Sequence, residues 1–489
     1  MKTTAFSRRS FLEGSAVLMG GAAAASNVLA QQAVPGAELA GLTLTQASTL
    51  LRSGQASPVD LVQACLARID RLNPLLNAFI TLAPEQALAR ARELEAEIQK
   101  GGPRGPLHGI PIALKDNIDT AMMRTTGASA LFENRVPEED AEVTRRLLDA
   151  GAIVLGKLNL NEFAYGGSSV VTHYGTMHNP WDLDRATGGS SGGSGAAVAA
   201  DLCFGALGTD TAGSVRIPAA HCGLVGLKPT QGRVSTRGVL MLSWTLDQVG
   251  PLCKSVEDAA LLLGCIAGYD PREPVALDRP VPDYTQALGT DVAKLRLGIA
   301  SSPYFEGLDA EVERLVGDAV ELLRSLTAGT REVQLPAAPS GASIWGPEAY
   351  AYHKPWITTS PELYQNATRA ALERYADADA AEYAQARRDV EVARRAVLDV
   401  FGDVDVLLTP VMREPAPLLS AGGGSGASAG TADFNVFGLP AISVPCGFTR
   451  AGLPVGLQIA AAPFMEERLL ALASHYERLT DWHLRKPSL

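Results

Sequence analysis

The stretch from 188 to 223 reads GGSSGGSGAAVAADLCFGALGTDTAGSVRIPAAHCG and is dominated by Gly, Ser and Ala. Side chains this small let neighbouring backbones approach closely, and glycine reaches conformations that a Cβ blocks. Any fold that takes up this segment must wrap tightly around it. Glycines also allow backbone N–H groups to converge on one point. A nucleophile beside such a point gains an oxyanion hole, often the largest single contribution to catalysis. Ser190 and Ser214 stand out within the segment for this reason.

The flanking sequence predicts strands alternating with helices, the pattern of an α/β fold. Residues 43–71 carry apolar positions at helical spacing, with Ser57-Pro58 as the start signal of a second helix. Residues 84–100, 139–150 and 310–325 read as helices, and 362–401 as mostly helical. The apolar runs 110–114, AIVLGK (152–157) and VDVLLTP (404–410) read as buried strands, as do GLPAISVPCGF and GLPVGLQIAA near the C-terminus. Residues 422–430 read as a Gly/Ser/Ala loop. No internal repeat or linker divides the chain. Its 489 residues, 46% hydrophobic, supply ample material for one large core.

Charge and cysteine usage narrow the function. The net charge is -11 and no basic run follows the first ten residues, so the Lys/Arg footprint of a nucleic-acid binder is missing. The six cysteines form no CxxC pair and the seven histidines fall at no metal-ligand spacing beside them. No metal or cofactor is expected, and the cysteines read as small buried apolar side chains.

The N-terminus reads as an address. SRRSFL (7–12) precedes a weakly apolar stretch over 14–25, and Val28-Leu29-Ala30 offers a cut before Gln31. Paired arginines, an apolar run and small residues make a twin-arginine signal over 1–30, which leaves 31–489 as the mature domain. The expected partner is the twin-arginine export machinery and the expected location periplasmic or secreted. The apolar run is too short for stable membrane insertion. Folding in the cytoplasm before export fits the missing disulfide framework.

Several pieces together resemble the amidase signature family. They are LHGIPIALKDN (107–117), GGSSGGSG (188–195), GTDTAGSVRIPAAHCGLVGLKPT (208–230) and the tail pattern NVFGLPAISVPCGF followed by GLPVGLQI. The resemblance spans nearly all of the mature chain. It implies the amidase signature fold, a single large α/β domain with a central mixed β-sheet surrounded by helices. It also implies Lys115 as base, Ser190 as bridging serine after a cis Gly189–Ser190 peptide, and Ser214 as nucleophile. The N–H groups of Thr211, Ala212, Gly213 and Ser214 would form the oxyanion hole; family members often carry Gly in place of Ala212. Ala164, Tyr165 and Gly166 fall where the family lines its acyl pocket, and they read equally as core. The implied ligand is a small-molecule amide, aryl amide, carbamate or peptide amide, with no cofactor; a homodimer is compatible with the resemblance.

These residue types suit amide cleavage. A serine hydroxyl is a weak nucleophile until a base takes its proton. A lysine can be that base only when neutral, and burial moves its pKa in that direction. Asp210 and Arg216 read as a structural ion pair, and Asp116 and Asn117 as braces of the Lys115 turn. Four other readings compete. GGSSG (188–192) satisfies GxSxG, but HNPWDLDRAT before it is polar and turn-like where a nucleophile elbow needs a strand, and its histidine would have to be His475 or His483. GAIVLGK (151–157) nearly fits a phosphate-binding loop, with Leu158 where Ser or Thr should stand. A non-catalytic exported binding protein would have no need of Lys115, Ser190 and Ser214. An amidotransferase component, a glutaminase supplying ammonia for charged tRNA, would need cytosolic partners. Substrate choice is expected from 300–380 and 418–435, where Trp345, Tyr350, His353 and Trp356 either line a pocket or pack.

Replacing Arg8 and Arg9 with Lys is expected to hold the precursor in the cytoplasm. Undiminished protein in the periplasmic fraction of that variant overturns the export expectation.

Overall fold

Two of the predicted apolar runs lie side by side and parallel: β2 (Pro111–Lys115) and β3 (Ile153–Leu158). Every residue of both is buried. Such continuous apolar runs are what a parallel sheet covered on both faces requires. The computed structural model describes residues 39–421 and 428–489. The twin-arginine segment and most of the Gly/Ser/Ala loop lie outside the described residues.

The remaining strands are β1 (Phe79–Leu82), β4 (Gly205–Asp210), β5 (Val225–Lys228), β6 (Gln248–Cys253), β7 (Leu297–Ala300), β8 (Thr330–Val333), β9 (Val406–Pro410), β10 (Ala441–Phe448) and β11 (Pro454–Ala461). They join one eleven-stranded sheet in the order β1-β3-β2-β4-β6-β5-β10-β11-β9-β7-β8. The sheet is mixed. β3, β2 and β4 run parallel, the block from β4 through β9 pairs antiparallel, and β9, β7 and β8 run parallel again. The fold is therefore α/β, as expected.

The helices follow local signals. The helix Pro58–Leu76 starts at Ser57, whose side chain accepts from the Asp60 N–H while Asp60 caps Ser57 in return. Pro84–Gly101, Glu142–Asp149 and Ala310–Leu326 fall where the spacing predicts them. The predicted helical region 362–401 divides into Asn366–Glu373 and Ala380–Val400. Asp379 explains the second start, since its carboxylate accepts from the N–H groups of Ala381 and Glu382.

The Gly/Ser/Ala segment supplies the centre. It forms the wholly buried helix Gly192–Ala199, strand β4, and the wholly buried helix Arg216–Cys222. Strand β4, GALGTD, has no apolar run to announce it, and its pairing with β2 and β6 holds it in place. The six cysteines are unpaired and five are buried. Among the described residues no helix is long and apolar enough to cross a membrane.

Close approach also governs β5 and β6. A Cβ on Gly250 would overlap the Leu227 carbonyl oxygen of the adjoining strand. Gly250→Ala is expected to cost about 2 kcal/mol or more through overpacking. Urea unfolding monitored by circular dichroism measures it; an unchanged midpoint overturns the expectation.

Candidate active site

Parallel pairing of β2 with β4 brings Lys115, the last residue of β2, beside Thr209 near the end of β4. Lys115 is fully buried. Its Nζ lies 2.7 Å from Ser190 Oγ, 2.7 Å from Thr209 Oγ1 and 3.5 Å from the Thr209 carbonyl oxygen. Those three neighbours can satisfy an ammonium, which donates three times, and, because a hydroxyl also donates, a neutral amine with one lone pair. Burial pulls the Lys115 pKa down to about 7, against the opposing pull of the Asp247 and Asp210 carboxylates. Asn117 braces the turn by donating to Thr209 Oγ1 at 3.1 Å and to the Leu240 carbonyl at 3.4 Å.

Ser190 follows a cis Gly189–Ser190 peptide. Only glycine fits at 189, because a Cβ would meet Asn161 Oδ1 and lie 2.8 Å from the Ser168 carbonyl. Asn161 N–H donates to the Ser190 carbonyl at 3.2 Å. Ser191 then ties three segments together. Its N–H donates to the Ser214 carbonyl at 3.3 Å, and its hydroxyl bridges the Thr209 carbonyl and N–H at 3.2 and 3.3 Å.

Ser214 stands on the turn between β4 and the helix Arg216–Cys222, and is half-buried where Ser190 is fully buried. Its hydroxyl has no hydrogen-bond partner among the described residues. Asp210 shapes the turn. It accepts from the Gly213 N–H at 2.7 Å and the Val215 N–H at 3.1 Å. The Gly213 N–H, one of the four expected oxyanion donors, thus already has a carboxylate partner. The N–H groups of Thr211, Ala212 and Ser214 have no acceptor among the described residues. Gly213 has φ +124°, and a Cβ there would overlap Thr431 Oγ1.

Asp210 and Arg216 form the expected ion pair, bidentate at 2.9 and 3.0 Å and wholly buried. Arg216 also donates to Gln458 Oε1 and Asn435 Oδ1, each at 2.6 Å, and Asn435 Nδ2 donates to the Asp210 carbonyl at 2.8 Å. Burial alone would raise the Asp210 pKa, but the Arg216 guanidinium holds it far below the usual carboxylate range. Sequence reasoning did not single out Asn435, Gln458, Thr209, Thr431 or Asp247. One faint signal existed, since Gln458 is the lone polar side chain of the apolar strand PVGLQIAA.

The other candidates sort as follows. Ala164 is buried and Tyr165 half-buried, while Gly166 is exposed. Ala164 joins an apolar cluster with Phe163, Leu242 and Tyr364, against which Tyr165, Trp345, Tyr350 and Trp356 pack. His353 is buried against Phe163, ring centroids 4.4 Å apart, and burial drives its pKa down to about 3. The aromatic residues of the helix Ala342–Ile357 therefore pack around the Ala164 turn. Lys157 lies in β3, so the phosphate-loop look-alike is a buried strand. No strand precedes Ser190 after β3, and neither His475 nor His483 bonds to it among the described residues. No group of three metal-ligating side chains occurs among the described residues.

Residues 60–470 match the family model described as Amidase. A glutamyl-tRNA(Gln) amidotransferase component from a Geobacter species is 39% identical over 92% of this chain and 100% of its own length. The crystal structure of an amidase superposes with TM-score 0.80 at 33% identity, covering 90% of this chain and 100% of that one. A 6-aminohexanoate cyclic dimer hydrolase bound to substrate superposes with TM-score 0.83 at 28% identity, covering 92% and 99%.

The buried amine has a stability consequence. Unfolded, Lys115 holds its proton up to about pH 10.5; folded, only up to about 7. Between those values the unfolded state binds the extra proton, so stability rises with pH there, and the full cost applies below pH 7. Lys115→Met removes that cost. Its stability relative to wild type is expected to be greatest near pH 6 to 7 and to fall by a few kcal/mol toward pH 10, measured by urea unfolding. A pH-independent difference overturns this.

Proposed function

The chain belongs to the amidase signature family, and from that premise we propose that it is an amidohydrolase cleaving a small or aryl amide through an acyl-enzyme on Ser214. The single observation that carries the reading is the buried Lys115 amine, 2.7 Å from Ser190 Oγ and depressed to a pKa of about 7. A neutral Lys115 accepts the Ser190 proton, which leaves the Ser190 oxygen free to accept the proton of Ser214. Ser214 Oγ attacks the amide carbon. The oxyanion then meets the N–H groups of Thr211, Ala212 and Ser214 on a turn that Asp210 has already fixed. On collapse, Ser190 returns the proton to the departing nitrogen, which an amide requires because an amine anion is a very poor leaving group. Water hydrolyses the ester by the same relay. Carbamates and peptide amides fit the same chemistry. With the twin-arginine pattern at 7–12, the reading includes action in the periplasm or outside the cell.

A second reading is favoured by the 39% identity to the amidotransferase component over 92% of the chain. It differs in needing partner proteins and tRNA, whereas a free hydrolase acts alone. Glutamine turnover that appears only with those partners would support it.

The purified chain is expected to hydrolyse at least one of a panel of aliphatic amides, anilides, carbamates and peptide amides. Ser214→Ala should lower kcat by at least about a thousandfold. Because Lys115 must be neutral, kcat/KM should rise with pH up to about 7 and level off above it. A fluorophosphonate should label Ser214 in the wild type. No labelling, or a rate independent of pH below 7, overturns the reading.

A further inference from the structure

Residues 240–247 form a loop whose two ends are pinned to the site. At one end the Leu240 N–H donates to the Asn117 carbonyl at 2.8 Å, two residues past Lys115. At the other, Thr211 Oγ1 donates to Asp247 Oδ1 at 2.5 Å, and the Leu242 N–H donates to Asp247 Oδ2 at 2.9 Å. Thr211 is the first residue beyond β4 on the way to Ser214. The loop therefore bridges the segments that carry Lys115 and Ser214.

Its apex is held by a buried carboxylate. Glu348, 1% exposed on the helix Ala342–Ile357, accepts from the hydroxyls of Ser243 and Thr245, and from the Thr245 N–H at 3.2 Å. It also accepts from the Tyr383 hydroxyl at 2.8 Å, and Tyr383 is within reach of the Trp244 indole. Trp244 sits between the two clamped residues. It is 41% exposed, on a loop whose other members are buried or half-buried. Two residues separate it from Asp247, so three Cα–Cα steps put its Cα within about 11 Å of the Asp247 Cα. Asp247 is bonded to Thr211, three positions before Ser214, so the indole stands on the loop tied to the Ser214 turn.

A large aromatic face left in water, on backbone fixed at both sides, is preorganised to bind a planar group at little entropic cost. We propose that Trp244 is a specificity-determining residue that stacks on the planar aromatic part of an aryl amide, and that Glu348 is the positioning residue that holds it there. The inference rests on the reading of the chain as a Ser214 amidohydrolase and names the substrate class for that site.

The test is binding to a chain that does not turn over. Acetanilide and N-cyclohexylacetamide, alike in size but planar and puckered respectively, are titrated calorimetrically into Ser214→Ala. Adding Trp244→Ala should weaken acetanilide at least fivefold more than N-cyclohexylacetamide, and Trp244→Phe should restore most of the difference. Glu348→Gln should move the same ratio in the same direction, which a merely structural role would not do. Equal weakening of both ligands, or no acetanilide binding to Ser214→Ala, overturns the proposal. If the wild type turns over no member of the amide and carbamate panel while the acetanilide preference still falls in Trp244→Ala, the hydrolase reading fails and the aromatic shelf stands.

Discussion

A carboxylate and a guanidinium without solvent contact, Asp210 and Arg216, fix the turn on which Ser214 stands. Taking two charges out of water is costly, and such a pair survives only when geometry is good and the remaining donors and acceptors are satisfied. Here they are. Arg216 is bidentate to Asp210 and reaches Gln458 and Asn435, while Asp210 also takes the N–H groups of Gly213 and Val215. Removing one partner of a buried pair typically costs about 3–5 kcal/mol, because the other is left uncompensated. The network thus locks the end of β4, the start of the helix Arg216–Cys222, the helix Thr431–Val436 and strand β11 into one arrangement. The position of Ser214 is set by groups distant in sequence, and its own hydroxyl is left free of structural duty.

Small residues make that arrangement reachable. Ser190 can approach Lys115 because Gly189 carries no Cβ to strike Asn161, and the turn before Ser214 can pass Thr431 because Gly213 carries none either. Ser191 completes the assembly by tying Thr209 to the Ser214 backbone. The Gly/Ser/Ala composition of 188–223 is thus a geometric requirement of the site as much as a catalytic one.

What could be read in advance follows from this division. Runs of contiguous apolar residues, such as those of β2, β3 and β9, announce themselves because burial on both faces keeps nearly every position apolar. Strand β4 does not, since GALGTD is held by its neighbours and by Ser191 more than by its own side chains. The approach of Lys115 to Ser190 was legible only through the resemblance, because it depends on the parallel register of β2 with β4. Thr209, Asn435, Gln458 and Asp247 were hidden for a related reason. A polar residue inside an apolar stretch shows that something must satisfy it, but not what. The capture of the Gly213 N–H by Asp210 is a matter of turn geometry and leaves no trace in sequence.

The contrast between two buried lysines shows what the site adds to burial. Lys157 in β3 is as buried as Lys115, and burial lowers its pKa to about 8. Its neighbours are the Ile118 carbonyl, Thr125 Oγ1 at 2.7 Å and Asp116 Oδ1 at 3.8 Å. That set holds a carbonyl and a carboxylate, which only accept, and it suits an ammonium. Lys115 meets two hydroxyls and one carbonyl, and the carboxylates that oppose its depression, Asp247 and Asp210, are committed to Thr211 and Arg216. A hydroxyl can donate as well as accept, so the Lys115 amine can lose its proton without leaving a neighbour unsatisfied. Desolvation makes both lysines reluctant ions; the partners differ, a serine hydroxyl beside Lys115 and a carboxylate beside Lys157.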